Sequence, residues 1–173
     1  MNIFLVGYMG SGKSYVGKRL AMATQAPFID LDDYIEANEG ESISQIWAKD
    51  NGKQFRRLER LYLKRMRQFD RAIIATGGGT PCFFKNMEWM NTNGLTIYLK
   101  TPVTLLVDRL IMEIDHRPIL ANKTEEEITA FITGHLEKRE SFYGASSVVY
   151  DQRVGDESIV KELFQYFKDV LHF

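Results

Sequence analysis

Apolar positions along the chain fall into short runs separated by longer amphipathic stretches. The runs Asn2–Val6, Pro27–Leu31, Ala72–Ala75, Leu95–Leu99 and Ser147–Tyr150 have strand length. The first four show little alternation of apolar and polar residues, the pattern of strands buried on both faces of a parallel sheet. Helical periodicity predicts helices near Lys13–Thr24, Asp33–Glu39, Ile43–Phe69, Phe83–Thr92, Val103–Ile114, Thr124–Tyr143 and Ser158–Leu171. Asn51–Gly52 is a helix-stop signal, so the long third stretch is expected to be two helices. Strand and helix alternate from end to end, which predicts one α/β layered domain with right-handed crossovers. Thr101–Pro102 reads as a turn that restarts a helix. The stretch "MEIDHRPILANKTEEE", from Met112 to Glu127, mixes charges of both signs, a proline and little periodicity. It reads as a surface loop or a lid between two helices.

Composition narrows the function classes. A chain of 173 residues, 45% hydrophobic and 26% charged, is that of a single soluble domain. A net charge of −1 gives no electrostatic reason to expect nucleic acid. No apolar run approaches the ~20 residues that cross a bilayer. "MNIFLVGYMG" lacks a basic leader and a cleavage site and is read as a first strand. Cys82 is the only cysteine, which excludes an intrachain disulfide and points to a reducing cytoplasm.

The chemistry begins directly behind the first strand. In "GYMGSGKS", Gly7, Gly12, Lys13 and Ser14 match the phosphate-binding pattern G-x-x-x-x-G-K-[ST]. Successive backbone N–H groups of such a loop converge on phosphate oxygens, and the following helix adds its positive N-terminus. Lys13 would reach the β- and γ-phosphates, and Ser14 would hold Mg²⁺. A chance match in a chain of this length is on the order of 1% from average residue usage. A strand before the loop and an amphipathic helix after it supply the required context. The motif alone does not distinguish a small-molecule kinase, a GTPase and an ATP-driven machine.

"FIDLDDYIE" puts Asp30 and Asp32 at the carboxyl end of the second strand, where open α/β sheets bind ligands. Two residues apart on extended chain, both carboxylates are expected to face one cleft. One suits the metal's water shell and the other can accept a hydroxyl proton. Asp33 is expected to point away, at a helix N-terminus. In the basic stretch "QFRRLERLYLKRMRQF", most arginines read as a solvated face. Glu59, three residues after Arg56, can hold that guanidinium for carboxylate recognition. "TGGGT" follows the third strand, and three consecutive glycines imply a ligand lying against bare backbone. Thr76 is a weaker candidate for the metal's water shell. Cys82 has no activating partner nearby in sequence and reads as a packed thiol.

These residues together resemble the shikimate kinase family over Asn2 to about Phe167. The signals are "GYMGSGKS", "DLD" at 30–32, "FRRLE" at 55–59, "GGG" at 77–79, "RPIL" at 117–120 and "KRESFY" at 138–143. The resemblance implies a three-layer αβα P-loop kinase fold, with a five-stranded parallel sheet and a mobile lid at about 113–123. It implies transfer of the ATP γ-phosphate to the 3-hydroxyl of shikimate, with Mg²⁺, in aromatic amino-acid biosynthesis. With the charge, hydropathy and cysteine readings above, a cytoplasmic monomer without nucleic-acid or membrane partners is expected. The ATP-binding set it implies is Gly10, Ser11, Gly12, Lys13, Ser14, Tyr15, Arg109, Arg117 and Arg153. Arg109 is the residue packing on adenine, and Arg117 the lid arginine closing on the phosphates. Asp30 joins Ser14 near the metal. Asp32 binds the shikimate hydroxyls and serves as base. Arg56 and Arg139 clamp the shikimate carboxylate, and Gly77, Gly78 and Gly79 line the substrate. Lys13, Asp32 and Arg117 form the catalytic group. One departure concerns adenine. Many family members carry a proline after the last strand, whereas this chain reads "YDQRVGDES", and Arg153 is the stand-in. His116 has no role in this pattern and reads as a solvated side chain. Rival readings are a gluconate kinase, a regulatory nucleotide-binding protein and a nucleic-acid module using the Arg57–Arg67 helix.

Overall fold

The computed structural model describes residues 1–112, 123–153 and 158–171. β1 (Asn2–Val6) is buried along its whole length and pairs in parallel with both β3 (Ile73–Ala75) and β4 (Gly94–Lys100). β2 (Phe28–Asp30) adds beyond β3 and β5 (Val148–Asp151) beyond β4, again in parallel. The sheet order is therefore β2-β3-β1-β4-β5.

The continuous apolar run of β1 is explained by what covers it. Phe4 and Val6 enter a core with α2 (Leu31–Glu39), α3 (Ile43–Asp50), α4 (Lys53–Arg65), α5 (Asn86–Asn93), α6 (Val103–Met112) and α7 (Glu125–Tyr143). Ile3 and Leu5 enter a second core with α1 (Lys13–Thr24) and α8 (Ile159–Tyr166). Two covered faces leave no position on β1 where a polar side chain meets water. The result is the expected three-layer α/β arrangement.

Several boundaries follow local chemistry that periodicity does not carry. The predicted break at Asn51–Gly52 is present: Asn51 (φ 54°) and Gly52 (φ 84°) both take left-handed backbone. β2 stops at Asp30, which caps α2, its carboxylate accepting from the Asp32 N–H at 3.1 Å. The expected extended geometry around Asp32 is thus replaced by a helix start, and Asp33 lies exposed in the same first turn. The glycine triplet leads into a 3₁₀ turn, Thr80–Cys82, and α5 starts only at Asn86. Phe84 and Lys85 between them are left-handed, which delays the helix. Thr124 is the N-cap of α7 in a capping box with Glu127 and not its first residue. The last predicted helix is α8 followed by a π-type turn, Phe167–Leu171.

The start of the sheet depends on one buried amide. Asn2 Nδ2 donates to the Met66 carbonyl at 2.8 Å, and its Oδ1 accepts from the Ala72 N–H at 3.0 Å. Asn2→Ala leaves the Ala72 N–H without its partner and the Met66 carbonyl with only the Phe69 N–H, so stability should fall by about 1–3 kcal/mol. Urea denaturation followed by circular dichroism measures it.

Candidate active site

The strand order reverses around β1, so the loops leaving β1 and its neighbours open a crevice at their carboxyl ends. That crevice has a volume of about 930 Å³ and is lined by the loop from Met9 to Ser14, by Asp30 and Asp32, and by Thr76 to Gly78. Gly10 and Gly12 have φ of 79° and 87°, a conformation side chains strain to adopt. Lys13 Nζ lies along the loop, donating to the carbonyls of Gly7 (2.9 Å) and Tyr8 (2.8 Å). Ser14 Oγ donates to Asp30 Oδ2 at 2.6 Å. Tyr15 and Arg109 also line the crevice, and the Arg19 guanidinium stacks 3.5 Å from the Tyr15 ring centre.

Asp32 stands where this crevice meets a second cluster. Its Oδ1 is buried and has no hydrogen-bond partner among the described residues. Burial is the main force that raises its pKa to about 7, helped by Glu59 and Asp30 and opposed by Lys13 and Arg56. The second cluster is built on α4. Arg56 Nη1 donates to Glu59 Oε2 at 2.7 Å, and Glu59 is fully buried. Thr80 donates to the other Glu59 oxygen. Burial nevertheless raises the Glu59 pKa, the Arg56 charge working against it. The guanidinium of Arg56 is flanked by Phe83, Phe55 and Trp47, with ring centres 4.4, 5.0 and 5.2 Å away.

Gly77 and Gly79 connect the two clusters. A Cβ on Gly77 would lie 3.0 Å from both Asp32 Oδ1 and Glu59 Oε1. Gly78 is held by Tyr143, whose hydroxyl donates to its carbonyl at 2.6 Å. Arg139, on α7, is half-buried over the Tyr8 ring at 5.6 Å. Its charge reaches Glu59 and Cys82, as does that of Arg56, which places both arginines on one cluster. Cys82 thus has basic neighbours in space, yet burial prevails and pushes its thiol up.

The remaining expectations divide. Arg109 Nη1 donates to the Gly10 carbonyl at 3.0 Å, fixing it beside the loop. Arg153 is exposed, and the neighbouring Gln152 turns inward to line the crevice. Arg117, His116 and the lid expected at about 113–123, apart from Lys123, lie outside the described residues. Sequence reasoning missed Gln152, Tyr143 and Trp47. A lone polar residue just past an edge strand gives no signal, and both aromatics sit in helices where apolar residues are expected.

Comparison with known proteins agrees with this geometry. A family model described as "Shikimate kinase" matches residues 9–170. The shikimate kinase of Parabacteroides distasonis is 44% identical over 170 residues, 98% of each chain. That of Bacteroides fragilis is 39% identical, covering 99% of this chain and 97% of its own. The crystal structure of shikimate kinase from Bacteroides thetaiotaomicron superposes with a TM-score of 0.91 at 37% identity, covering 100% of this chain and 99% of its own. The Acinetobacter baumannii enzyme in complex with shikimate gives 0.82 at 29% identity, covering 99% and 92%.

The raised pKa of Asp32 sets a sign for stability. Between about pH 4, where the unfolded chain releases this proton, and about 7, the folded chain holds it. The contribution is present below that window and lost as pH rises through it. Asp32→Asn, which never ionises, should therefore gain stability over the unaltered protein as pH goes from 5 to 8. Urea midpoints of both proteins across that range check it, and parallel curves would refute the assignment.

Proposed function

The chain belongs to the shikimate kinase family, and on that premise we propose how its residues divide the phosphorylation of the shikimate 3-hydroxyl by ATP. One observation carries the assignment: the half-buried Asp32 carboxylate lines the crevice with the phosphate loop and also meets the Arg56–Glu59 pair at Gly77, where a Cβ would lie 3.0 Å from both Asp32 Oδ1 and Glu59 Oε1.

At one end, the amides of Gly10, Ser11 and Gly12 with Lys13 hold the phosphates, and Tyr15 and Arg109 take the nucleoside side. At the other end, Arg56 and Arg139 receive the carboxylate of the acceptor, with Gly77, Gly78 and Gly79 leaving room for its ring. Trp47, Phe55 and Phe83 around Arg56 strengthen that ion pair by excluding water. The acceptor hydroxyl then faces Asp32. As the hydroxyl oxygen forms its bond to the γ-phosphorus, the bond to the β–γ bridging oxygen breaks and ADP leaves. The hydroxyl proton passes to Asp32. A carboxylate with a pKa of about 7 is well matched to take it near neutral pH.

The residues fit Mg²⁺. Ser14 and Asp30 offer hard oxygen donors beside the phosphate loop, hydrogen-bonded at 2.6 Å. Among the described residues no group of three or more His, Cys, Asp or Glu would cage a metal alone, as suits an ion completed by phosphates and water. When bound, it neutralises phosphate charge. Arg117 is proposed to close on the γ-phosphate from a lid at about 113–123, supplying a further positive charge there. Arg153 is proposed as an additional contact on the nucleoside side.

A cytoplasmic monomer is part of the proposal, the single cysteine, Cys82, suiting a reducing compartment. No helix of the described residues is long and apolar enough to cross a membrane.

Turnover with ATP should be specific for shikimate over gluconate and nucleoside monophosphates in a coupled ADP-release assay. Arg56→Ala should raise the shikimate KM by roughly 10–100-fold, the loss of a charged hydrogen-bond partner, with a smaller change in kcat. An unchanged KM would remove the clamp from the proposal. Lys13→Ala should abolish turnover while leaving the circular dichroism spectrum intact. Arg117→Ala should lower kcat by about 10³, the range for a guanidinium acting on a transferring phosphoryl group.

A further inference from the structure

Gln152 directly follows β5 and is 7% exposed, yet no part of the phosphoryl-transfer scheme uses it. Its carboxamide joins three elements. Nε2 donates to the Ser11 carbonyl in the phosphate loop at 2.8 Å and to Thr101 Oγ1 after β4 at 2.9 Å. Oε1 accepts from Arg109 Nη1 and Nη2, each at 3.4 Å. Arg109 in turn donates to Gly10 in the same loop.

The orientation of this amide is forced. Thr101 already donates its proton to the Leu99 carbonyl at 3.2 Å, so toward Gln152 it offers a lone pair. The Ser11 carbonyl is likewise an acceptor, and Arg109 only donates. Turning the amide over would set oxygen against oxygen on one side and N–H against N–H on the other. A glutamine satisfies all three partners at once. A glutamate would satisfy Arg109 alone.

We propose that Gln152 is a positioning residue for nucleotide binding, locking the Arg109 guanidinium and the phosphate loop in one register. It rests on the reading that Arg109 meets the base. Burial lowers the Arg109 pKa, yet the group stays cationic, so its flat face is available to a base while its edge is held by Gln152 and Gly10. The base and the phosphates are thereby received by parts that cannot shift independently. Arg109 alone, tied only to Gly10, would be free to swing about that single bond.

The test is calorimetric titration of the full chain with MgATP and with magnesium tripolyphosphate, which lacks the nucleoside. Gln152→Leu should weaken ATP about tenfold, the loss of a hydrogen bond to a charged partner. Its shikimate KM should stay within about twofold, a split that a general loss of structure would not produce. Gln152→Glu keeps the shape should the leucine variant fold poorly. It should also weaken ATP, because its carboxylate opposes the Ser11 carbonyl. In an Arg109→Ala background, Gln152→Leu should lose most of its effect, as expected of coupled groups.

ATP affinity within about twofold of the unaltered protein in either folded Gln152 variant would overturn the proposal. So would tighter ATP binding by Gln152→Glu, or independent effects of the two sites. Failure of the base reading would look different. Arg109→Ala would then weaken ATP and tripolyphosphate equally, while the coupling to Gln152 persisted.

Discussion

The structure depends on β1 lying in the middle of the sheet with a parallel neighbour on each side. A strand paired on both edges and covered on both faces can end only at its carboxyl terminus, where the backbone amides of the next residues are released together. The phosphate loop is built from those amides. It also stands at the switch in strand order, where the crossovers diverge to opposite sides and leave a crevice. Asp30 enters the crevice from the end of β2 and Thr76 to Gly78 from the end of β3. Gln152 enters from β5. Each of these elements reaches the crevice because of its place relative to β1, so the packing of Ile3 to Val6 decides the geometry of the chemistry.

Within that frame, the charges are arranged against one another. Asp30, Asp32 and Glu59 are acids brought close together, and burial, then the charges of Glu59 and Asp30, disfavours ionisation of Asp32. Lys13, Arg56 and Arg139 offset this from the margins without fully restoring ordinary acidity to Asp32 or Glu59. The two raised carboxyls do different work. Glu59 has partners on both oxygens and holds Arg56. Among the described residues the buried Oδ1 of Asp32 has no hydrogen-bond partner, which leaves it open toward the crevice. Sites of this kind sacrifice folding free energy to hold reactive groups.

The elements were legible wherever the pattern was long or chemically marked. β1, α1 and the break before α4 follow from an apolar run, a glycine–lysine motif and an asparagine–glycine stop. The i, i+3 pairing of Arg56 with Glu59 was also legible, because helical spacing alone brings them together. What escaped depends on contacts between distant segments. Asp32 was expected to reach Asp30 along a strand, but a side-chain cap turns the chain into a helix one residue earlier. Proximity of the two acids survived for a different reason. The left-handed backbone at Phe84 and Lys85 has no marker in residue type, since neither is glycine or asparagine. Gln152 matters only because Ser11, Thr101 and Arg109 converge on it, and no local window contains them.

The glycine triplet shows why such contacts must be mutual. A Cβ on Gly79 would lie 2.5 Å from Arg56 Nη2 and 2.8 Å from Cζ, inside any allowed separation. The guanidinium cannot retreat easily, because Glu59 grips it on one edge and aromatic rings flank it. Glu59 is itself fixed by Thr80, which follows Gly79 in the same loop. The loop therefore needs glycine because α4 presents a rigid arginine, and the arginine is rigid partly because that loop supplies a threonine to its partner acid. The absence of side chains at 77–79 and the fixed orientation of Arg56 are one structural fact seen from two segments. An arginine on a more yielding helix would need no bare backbone opposite it.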